Sequence, residues 1–284
     1  MKFTKMHGCG NDYIFLDSRF EGISNPEKLA RSLSDRHMGI GADGLVLIGT
    51  SEKADVSMRM YNADGSVGEM CGNAIRCIGK YVYENNIKSK TTLTVDTLAG
   101  IKTLFLTINQ NKVVEVMVDL GKPIIEAKEI PVFSDNETVI EESVTVLDKE
   151  FKITCVSMGN PHAVIFVDNV ASFPVATYGL PLEHNLKFPN RVNVEFVQIV
   201  DRNNIKMRVW ERGTGETLAC GTGTAASVVA GILTGRLDSY VVVSCRGGIL
   251  KVFYDQKDNI IYLSGGAVKV FEGDISLDSL VRKE

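Results

Sequence analysis

Two cysteines occupy equivalent places in two similar stretches of the chain. Of all the residues in the sequence, these two have the surroundings that best suit a catalytic role. Cys71 lies in EMCGNAIRCIGKYVYENN, and Cys220 lies in ETLACGTGTAASVVAGILTG. The second stretch is apolar on nearly every side from 225 to 233, which is typical of a helix in the middle of a core. Gly235 fits the position just after the end of such a helix. Each cysteine therefore precedes the first turn of a predicted central helix.

A cysteine at the start of a helix has a distinct electrostatic setting. Unpaired backbone N–H groups and the positive end of the helix dipole favour a thiolate there over a thiol. A free cysteine has a pKa of about 8.5, and a helix start lowers it by at most about 1.5 units. We expect this effect to hold one of the two thiols as thiolate while the other stays protonated.

The similarity of the two stretches extends well beyond the cysteines. Cys71 and Cys220 are 149 residues apart (220 − 71 = 149), and the similar strings MRMYN and MRVWE are separated by the same offset. So do the Gly-Asn pairs at 10–11 and 159–160. A near-constant offset indicates an internal duplication. It predicts an N-terminal lobe over 1–121, completed by the C-terminal segment from about 269 to 284, and a C-terminal lobe over 122–268.

A duplicated lobe creates a cleft between its two copies, and two equivalent thiols facing it suit the inversion of a carbon stereocentre. One group removes a proton from one face of the carbon, and the other delivers a proton to the opposite face. Free N–H groups at the two helix starts can receive a substrate carboxylate and the negative charge that develops on it. The sequence offers no cofactor as an electron sink, so the fixed field of the site must supply that stabilisation.

Composition excludes several other classes of protein. With 284 residues, 44% of them hydrophobic, and a net charge of −4, the chain reads as a globular protein of two lobes. It has no long basic run, so we expect no nucleic acid and no membrane among its partners. The start, MKFTKMHGCGND, lacks the apolar core of a signal peptide, which makes a cytoplasmic location the default.

The cysteine pattern excludes a disulfide framework and a metal centre. Six cysteines are too few for such a framework, none forms C-x-x-C, and no Cys/His cluster has zinc spacing. Neither metal nor cofactor is expected. Four of the six match no catalytic pattern and are predicted to be core or loop thiols: Cys9, Cys77, Cys155 and Cys245.

Most of the remaining chain reads as short strands and turns. Phe3–Asp17 predicts strand, turn and strand, and Pro26–Asp35 predicts a helix capped by Asn25. GIGADG at 39–44 has the literal dinucleotide-binding pattern, but it follows a helix and opens a strand, so it is interpreted as a turn. The Pro- and charge-rich passage from 121 to 142 is interpreted as the crossing between lobes, and residues 171–189 as a variable insert.

At this point the residues match a family. HGCGNDY, EMCGNA, SMGNPH, RVNVEF and WERGTGETLACGTG occur in that order, and the chain resembles diaminopimelate epimerase over nearly its whole length. The resemblance implies an α+β fold of two pseudo-symmetric lobes. Each lobe is a curled, barrel-like mixed or antiparallel β-sheet around a central hydrophobic helix. It also implies cofactor-independent, two-base interconversion of LL- and meso-2,6-diaminoheptanedioate in lysine and peptidoglycan precursor synthesis, with a homodimer as a further possibility.

The resemblance also assigns roles to residues of this chain. It makes Cys71 and Cys220 the acid/base pair and places His162 and Glu211 close to the chemistry. Glu211 and Arg212 also match the ammonium and carboxylate of a distal amino-acid end. Gly44 stands where some members carry Gln, so it is given no binding role. The full set of predicted substrate-binding residues is Asn11, Asn62, Gly72, Asn73, Asn160, Asn193, Glu211, Arg212, Gly221 and Thr222.

Three other functions remain open on the residues alone. Proline or hydroxyproline racemases pair cysteines similarly, but they typically have His where this chain has Asn73 and do not need Glu211-Arg212. A catalytically inactive module that binds a zwitterionic amino acid is the second alternative, and the presence of both cysteines argues against it. A thiol-redox protein is the third, and adjacent redox cysteines are absent from the sequence.

Overall fold

A computed structural model describes residues 1–19 and 22–276 of the chain. Numbered along the chain, the elements of the first part are β1 (Lys2–Gly8), β2 (Asn11–Asp17), α1 (Pro26–Ser34), β3 (Gly44–Gly49), β4 (Val56–Asn62), β5 (Val67–Gly68), α2 (Gly72–Glu84), β6 (Thr92–Thr97), β7 (Gly100–Asn109) and β8 (Lys112–Gly121). The elements that follow are β9 (Glu142–Val146), β10 (Lys149–Ser157), β11 (Pro161–Phe166), α3 (Val175–Glu183), β12 (Asn193–Asp201), β13 (Asn204–Glu211), β14 (Gly215–Thr217), α4 (Gly221–Leu233), β15 (Tyr240–Cys245), β16 (Gly248–Asp255), β17 (Ile260–Gly265) and β18 (Val268–Asp274).

The chain divides into two compact units. Unit 1 comprises Met1–Val118 and the chain from Gly265 onward, and unit 2 comprises Asp119–Ser264. Within unit 1, β18 pairs antiparallel with β1, with Lys2 opposite Asp274, so residues near the C-terminus extend the N-terminal sheet. The last part of the C-terminal segment predicted to complete this lobe, 277–284, lies outside the described residues.

The two units repeat one order of strand pairing. In unit 1, β1–β2 is antiparallel, β2–β3 parallel, β3–β4 antiparallel, β4–β6 parallel and β6–β7 antiparallel. In unit 2, β10–β11, β11–β12, β12–β13, β13–β15 and β15–β16 follow the same sequence of senses. The short strands β5 and β14 pair with β4 and β13. The predicted α+β fold of two similar lobes is confirmed.

A central helix lies against the sheet in each unit. In unit 1, α2 contacts the paired strands β1 and β2 and also β7, which lies several strands away from them in the sheet, so this sheet curls around the helix. In unit 2, α4 contacts β10, β11, β12 and β16 in the same way. Gly221 and residues 223–231 of α4 are all buried, as the apolar sequence predicted. The helix ends with Gly235 at φ +71°, which confirms the predicted glycine stop.

The local predictions near the N-terminus are also confirmed. Asn25 caps α1, and its Oδ1 accepts a hydrogen bond from the Lys28 N–H at 3.0 Å. The GIGADG segment folds back on the end of α1, since both Ile40 and Gly41 donate their N–H groups to Leu33 O at 2.9 Å, and it then opens β3. It is a turn after a helix and not a dinucleotide-binding loop.

Two stretches of unit 2 differ from their sequence interpretation. The passage 121–142 is more than a crossing, because its apolar residues Ala127, Ile130, Val132 and Val139 are buried in the core with β9–β12. Residues 171–189, which we predicted only as a variable insert, contain α3. In the described residues, no helix is long and apolar enough to cross a membrane.

Candidate active site

Cys71 caps the N-terminus of α2 and contacts the start of β2. Its torsion angles are φ −133° and ψ 124°, outside the helix, while its carbonyl accepts the first helical hydrogen bond from Ile75 at 2.9 Å. The Cys71 sulfur donates to Asn11 Oδ1 at 3.3 Å, and Asn73 Nδ2 donates to the same oxygen at 3.3 Å. We call Cys71, Asn11 and Asn73 the first half-site. The fold thus joins three of the residues predicted from sequence.

The orientation of both amides in the first half-site is fixed by charged neighbours. Asn11 Nδ2 donates to Asp43 Oδ2 at 2.8 Å, which leaves its oxygen facing the cysteine. Arg76 Nη2 donates to Asn73 Oδ1 at 2.7 Å, so the Asn73 amide nitrogen faces Asn11. Because an arginine can only donate and a carboxylate only accept, each amide has one favourable orientation.

Arg76 is a fully buried cation within α2. Its Nη1 donates to Gly72 O at 2.8 Å, and the side chain is 0% exposed. Among the described residues its hydrogen-bond acceptors are carbonyl and amide oxygens and the Cys9 sulfur, with no carboxylate. A buried charge without an opposite charge is costly. This cation therefore favours negative charge at the first turn of α2, where the predicted carboxylate-binding residues Gly72 and Asn73 lie.

Tyr13 supports the same cysteine from β2. The ring is 5% exposed and its hydroxyl is hydrogen-bonded to Cys71. Burial, and then the neighbouring Cys71, raise the pKa of Tyr13 well above its ordinary value, so its hydroxyl remains a donor. The α-carbon of Gly44 lies beside this ring. A Cβ there would be 3.1 Å from Tyr13 Cε1 and 2.3 Å from Tyr61 O, so the position does not accommodate a side chain as built.

Asn62 lies at the exposed end of β4. Its side chain donates to Ser66 Oγ at 2.9 Å, and its backbone N–H donates to Ser66 O at 2.8 Å. Its register partner in the sheet is Gly44. The observed contacts of the Asn62 side chain are with its own turn, so its predicted role in substrate binding stays a prediction.

Cys220 caps α4 as Cys71 caps α2. Its torsion angles are φ −120° and ψ 119°, and Gly223 donates its N–H to the sulfur at 3.4 Å. Thr222 Oγ1 also lies 3.4 Å from the sulfur. The side chain is buried, with 6% of the residue exposed. We call Cys220, its helix start Gly221-Thr222-Gly223 and the acidic residues around them the second half-site.

The pKa of Cys220 is raised well above its ordinary value. Burial is the main cause, and the nearby carboxylates of Glu211 and Glu195 add to it. The Thr222 hydroxyl and the Gly223 N–H act in the opposite direction, but they are weaker. The helix start does lower the pKa of this thiol, but desolvation and two acidic neighbours outweigh the helix N–H groups. Cys220 is a thiol at neutral pH.

His162 is buried between a carboxylate and an amide. Its Nδ1 lies 2.7 Å from Glu195 Oε1 and its Nε2 lies 3.0 Å from Asn160 Oδ1. Both His162 and Glu195 are 0% exposed. His162 and Asn160 both belong to the motif SMGNPH and were predicted to have different roles, and in the structure their side chains are in contact. The Glu195 carboxyl was not predicted as part of the site.

Asn193 connects the start of β12 to the loop after β13. Its Nδ2 donates to Pro161 O at 2.8 Å, and its Oδ1 accepts the Arg212 N–H at 2.9 Å. Arg212 is exposed, and its Nη1 donates to Asn190 O at 2.9 Å. Glu211, one residue earlier, accepts a hydrogen bond from the Thr217 hydroxyl. The acidic and basic residues predicted to bind a distal amino-acid end are therefore held by neighbouring backbone and hydroxyl groups.

The other four cysteines are free thiols in different surroundings. Cys77 and Cys155 are buried, and burial raises the pKa of Cys77 to about 12 and that of Cys155 further. Cys9 is half-buried at φ +53°, and burial raises its pKa although Arg76 partly offsets the effect. Cys245 is half-buried and lies 3.8 Å from Thr224 Oγ1. They fit the prediction of core and loop thiols.

Three residues near the cysteines were missed in the sequence. Tyr13 and Glu195 stand in the quoted motifs HGCGNDY and RVNVEF, but only their asparagines were selected. Arg76 stands in a helix predicted to be central, and a charged residue in such a helix is the signal that could have identified it. Glu195, a charged residue in a buried stretch of β12, gives the same kind of signal, whereas Tyr13 gives none, because it lies among consecutive buried residues of β2 and its partner is set by tertiary structure.

The fold is shared with amino-acid epimerases and related proteins. A hydroxyproline epimerase from Agrobacterium vitis matches with a TM-score of 0.72 and 14% identity, over 98% of this chain and 92% of that one. A PhzF-family phenazine biosynthesis protein from Bacillus anthracis matches with a TM-score of 0.68 and 17% identity, over 98% and 99%. At such low identity these structures define the fold class alone.

Sequence comparison identifies the family. The sequence model of diaminopimelate epimerase matches residues 3–125 and 154–270. A diaminopimelate epimerase of Acetivibrio thermocellus is 53% identical over 280 residues, covering 99% of this chain and 100% of the relative. One from Methanococcus maripaludis strain S2 is 53% identical over 277 residues, covering 98% and 100%. The chain belongs to the diaminopimelate epimerase family.

Proposed function

We propose that the protein epimerises LL-2,6-diaminoheptanedioate to the meso isomer without a cofactor, in the synthesis of lysine and peptidoglycan precursors in the cytoplasm. Two thiols act on opposite faces of the α-carbon, one as proton acceptor and one as proton donor. The observation that carries the proposal is the repeated construction of Cys71 and Cys220. Each is a non-helical N-cap on an equivalent buried helix.

We infer the roles of the two thiols from their surroundings. Because its pKa is raised, Cys220 starts as a thiol and is the proton donor. Cys71 is the proton acceptor in its thiolate form, without the proton that it donates to Asn11 Oδ1, and the buried Arg76 cation within α2 supports the negative charge at that end. In the reverse direction the roles exchange, because Cys220 takes back the proton that it delivered and Cys71 returns the proton that it removed.

The helix starts supply the stabilisation that a cofactor supplies in other racemases. Gly72-Asn73 and Gly221-Thr222 open α2 and α4, and the N–H groups of a helix's first turn lie outside its i to i−4 hydrogen-bond ladder and point along the helix dipole. We infer that they bind the α-carboxylate and the charge that develops on it when the α-proton leaves. A fixed array of donors needs no reorganisation at that moment.

We assign specificity for a second amino-acid end to polar residues of both units. Glu211 and Arg212 offer one negative and one positive side chain on adjacent residues. Asn193 Oδ1 accepts a hydrogen bond from the Arg212 backbone N–H and so fixes the position of the backbone at Glu211-Arg212. Asn11, Asn62 and Asn160 complete the proposed set.

Alanine substitution of each thiol tests the function. We expect both Cys71→Ala and Cys220→Ala to abolish epimerisation and to keep the wild-type circular dichroism spectrum. Cys245→Ala, a half-buried thiol outside the proposed pair, is the control and should keep its turnover. Normal turnover by either of the first two variants would rule out the two-thiol mechanism.

A further inference from the structure

Glu195 has a buried carboxyl group, and only one of its two oxygens has a hydrogen-bond partner among the described residues. Oε1 lies 2.7 Å from His162 Nδ1, whereas Oε2 is buried and has no hydrogen-bond partner in the part of the chain that the structure describes. Buried polar atoms without partners are rare, because each costs about 1–3 kcal/mol. An unpaired oxygen on a fully buried carboxyl group therefore needs a reason other than stability.

The same carboxyl group lies directly against the helix start that holds Cys220. A Cβ added to Gly223 would be 2.3 Å from Glu195 Oε1 and 3.0 Å from its Cδ. Gly223 is the residue whose N–H donates to the Cys220 sulfur at 3.4 Å. The absence of a side chain at Gly223 thus allows the carboxyl group to approach the first turn of α4.

We propose that Glu195 is a positioning residue whose carboxylate keeps Cys220 in the thiol form. His162 holds the carboxyl group in place from β11. The inference deepens the proposed function and rests on it, since it concerns Cys220 as a proton donor.

Charge is the means by which Glu195 acts. A carboxylate near the first turn of α4 makes a thiolate at Cys220 less favourable, and it opposes the N–H groups that would otherwise stabilise that thiolate. The groups that face Glu195 are His162 from β11, Cys155 from β10 and Cys220 from α4. Glu211 from β13 acts on Cys220 in the same direction.

The contacts of His162 hold its ring between Asn160 and Glu195. Because an amide oxygen only accepts, His162 Nε2 donates to Asn160 Oδ1, and the other ring nitrogen, Nδ1, lies against Glu195 Oε1. The ring thus fixes the Glu195 carboxyl group beside the first turn of α4.

The test is the pH dependence of Cys220 alkylation in Glu195→Gln. Iodoacetamide labelling is followed by peptide mass spectrometry, which reports Cys220 separately from the other cysteines. The substitution keeps the shape of the side chain and removes its charge. We expect the midpoint for Cys220 to fall by about one pH unit and its labelling at neutral pH to rise by about tenfold. The alkaline limb of kcat/KM should move to lower pH by the same amount.

Glu142→Gln is the matched control. Glu142 lies in the same unit and is ion-paired with Lys187, and it is not among the groups that act on Cys220. Its substitution should leave the Cys220 midpoint unchanged. An unchanged midpoint in Glu195→Gln would overturn the proposal, and it would leave the proposed function intact because labelling does not depend on turnover.

A second variant covers the case in which Glu195→Gln does not fold. His162→Gln keeps a hydrogen-bond donor for the carboxylate and removes the ring that partly neutralises it. We expect the Cys220 midpoint to rise in this variant, opposite to the change in Glu195→Gln. A fall would contradict the proposal.

Discussion

Arg76 Nη2 lies 2.7 Å from Asn73 Oδ1, and this contact determines which end of the Asn73 amide faces Asn11. Asn73 Nδ2 then donates to Asn11 Oδ1, the oxygen that also accepts the Cys71 thiol. A buried arginine thus fixes, through two amides, the acceptor beside a proposed catalytic sulfur. The arrangement is costly for stability, because the cation has no carboxylate partner among the described residues.

Replacing Arg76 with Met should therefore reduce activity without reducing stability. We expect kcat/KM to fall at least about tenfold, since the Asn73 amide loses the donor that orients it. The melting temperature should stay the same or rise, because a buried unpaired charge is exchanged for apolar volume. Steady-state kinetics and thermal unfolding check both parts. Lys80→Met, one turn later on α2, is the control and should keep its kcat/KM. Loss of activity in step with loss of stability would contradict this account.

Oxidation should join the two proposed catalytic thiols. If they act on opposite faces of one carbon, they approach each other in the working enzyme, and neither has another cysteine as a natural partner. We expect a Cys71–Cys220 disulfide and an inactive protein that reductant restores. Cys77 is 0% exposed and Cys155 is 1% exposed, against 6% for Cys220, so an oxidant should reach the first two more slowly. Peptide mapping of the oxidised protein identifies which cysteines are joined. A Cys9–Cys77 or Cys155–Cys245 disulfide would argue against the proposal that Cys71 and Cys220 face each other.

Arg212 should govern recognition of the distal carboxylate. The cysteines and helix starts address only an α-carbon and its carboxylate, which every amino acid shares. We expect Arg212→Ala to lower kcat/KM for diaminopimelate by about 10²-fold or more, and Arg212→Lys to lower it less. Alkylation rates of Cys71 and Cys220 should not change. Arg202→Ala, an exposed arginine paired with Asp238, is the control. Near-normal kcat/KM in Arg212→Ala would mean that other residues bind the distal end.

A substitution that adds one methyl group to α4 tests how tightly this helix packs against the loop that follows it. A Cβ on Gly231 would be 2.3 Å from Leu237 Cδ1 and 2.5 Å from its Cγ, and Leu237 is 3% exposed. We expect Gly231→Ala to lower the free energy of unfolding by about 1–3 kcal/mol, because an overpacked core must shift. Gly22→Ala, where a Cβ meets nothing within 4 Å, should have little effect. Equal stabilities in urea denaturation would contradict the tight packing.

The sequence predicted what periodicity and local chemistry determine. The caps at Asn25 and Gly235, the two central helices and most of the strands follow from residue type and spacing, whereas the short strands β5 and β14 lie in segments that read as loops. The contacts of the first half-site depend on long-range structure, because Asn11 and Cys71 are 60 residues apart and meet only when β2 packs beside α2. The protonation of Cys220 could not be predicted either. Its helix start favours a thiolate, and only the fold shows that burial and two acidic residues outweigh it.

Helix α3 was missed for a related reason. Its segment, VATYGLPLE, contains Gly179 and Pro181, which disfavour a helix on propensity alone. In the structure Gly179 packs against the Trp210 ring, and Trp210 Nε1 donates to Glu183 Oε2 at 2.8 Å. Tertiary packing stabilises a helix that the local sequence does not favour.

The central claim is that two thiols exchange a proton with one α-carbon of diaminopimelate. Its most direct test is exchange of the α-hydrogen of LL-diaminopimelate with deuterated solvent, followed by NMR and mass spectrometry. We predict deuterium at the epimerised carbon with wild-type protein. We predict none with lysine or proline as substrate, and no formation of the meso isomer by Cys71→Ala or Cys220→Ala. Epimerisation without solvent deuterium, or undiminished meso formation by either cysteine variant, would contradict the account.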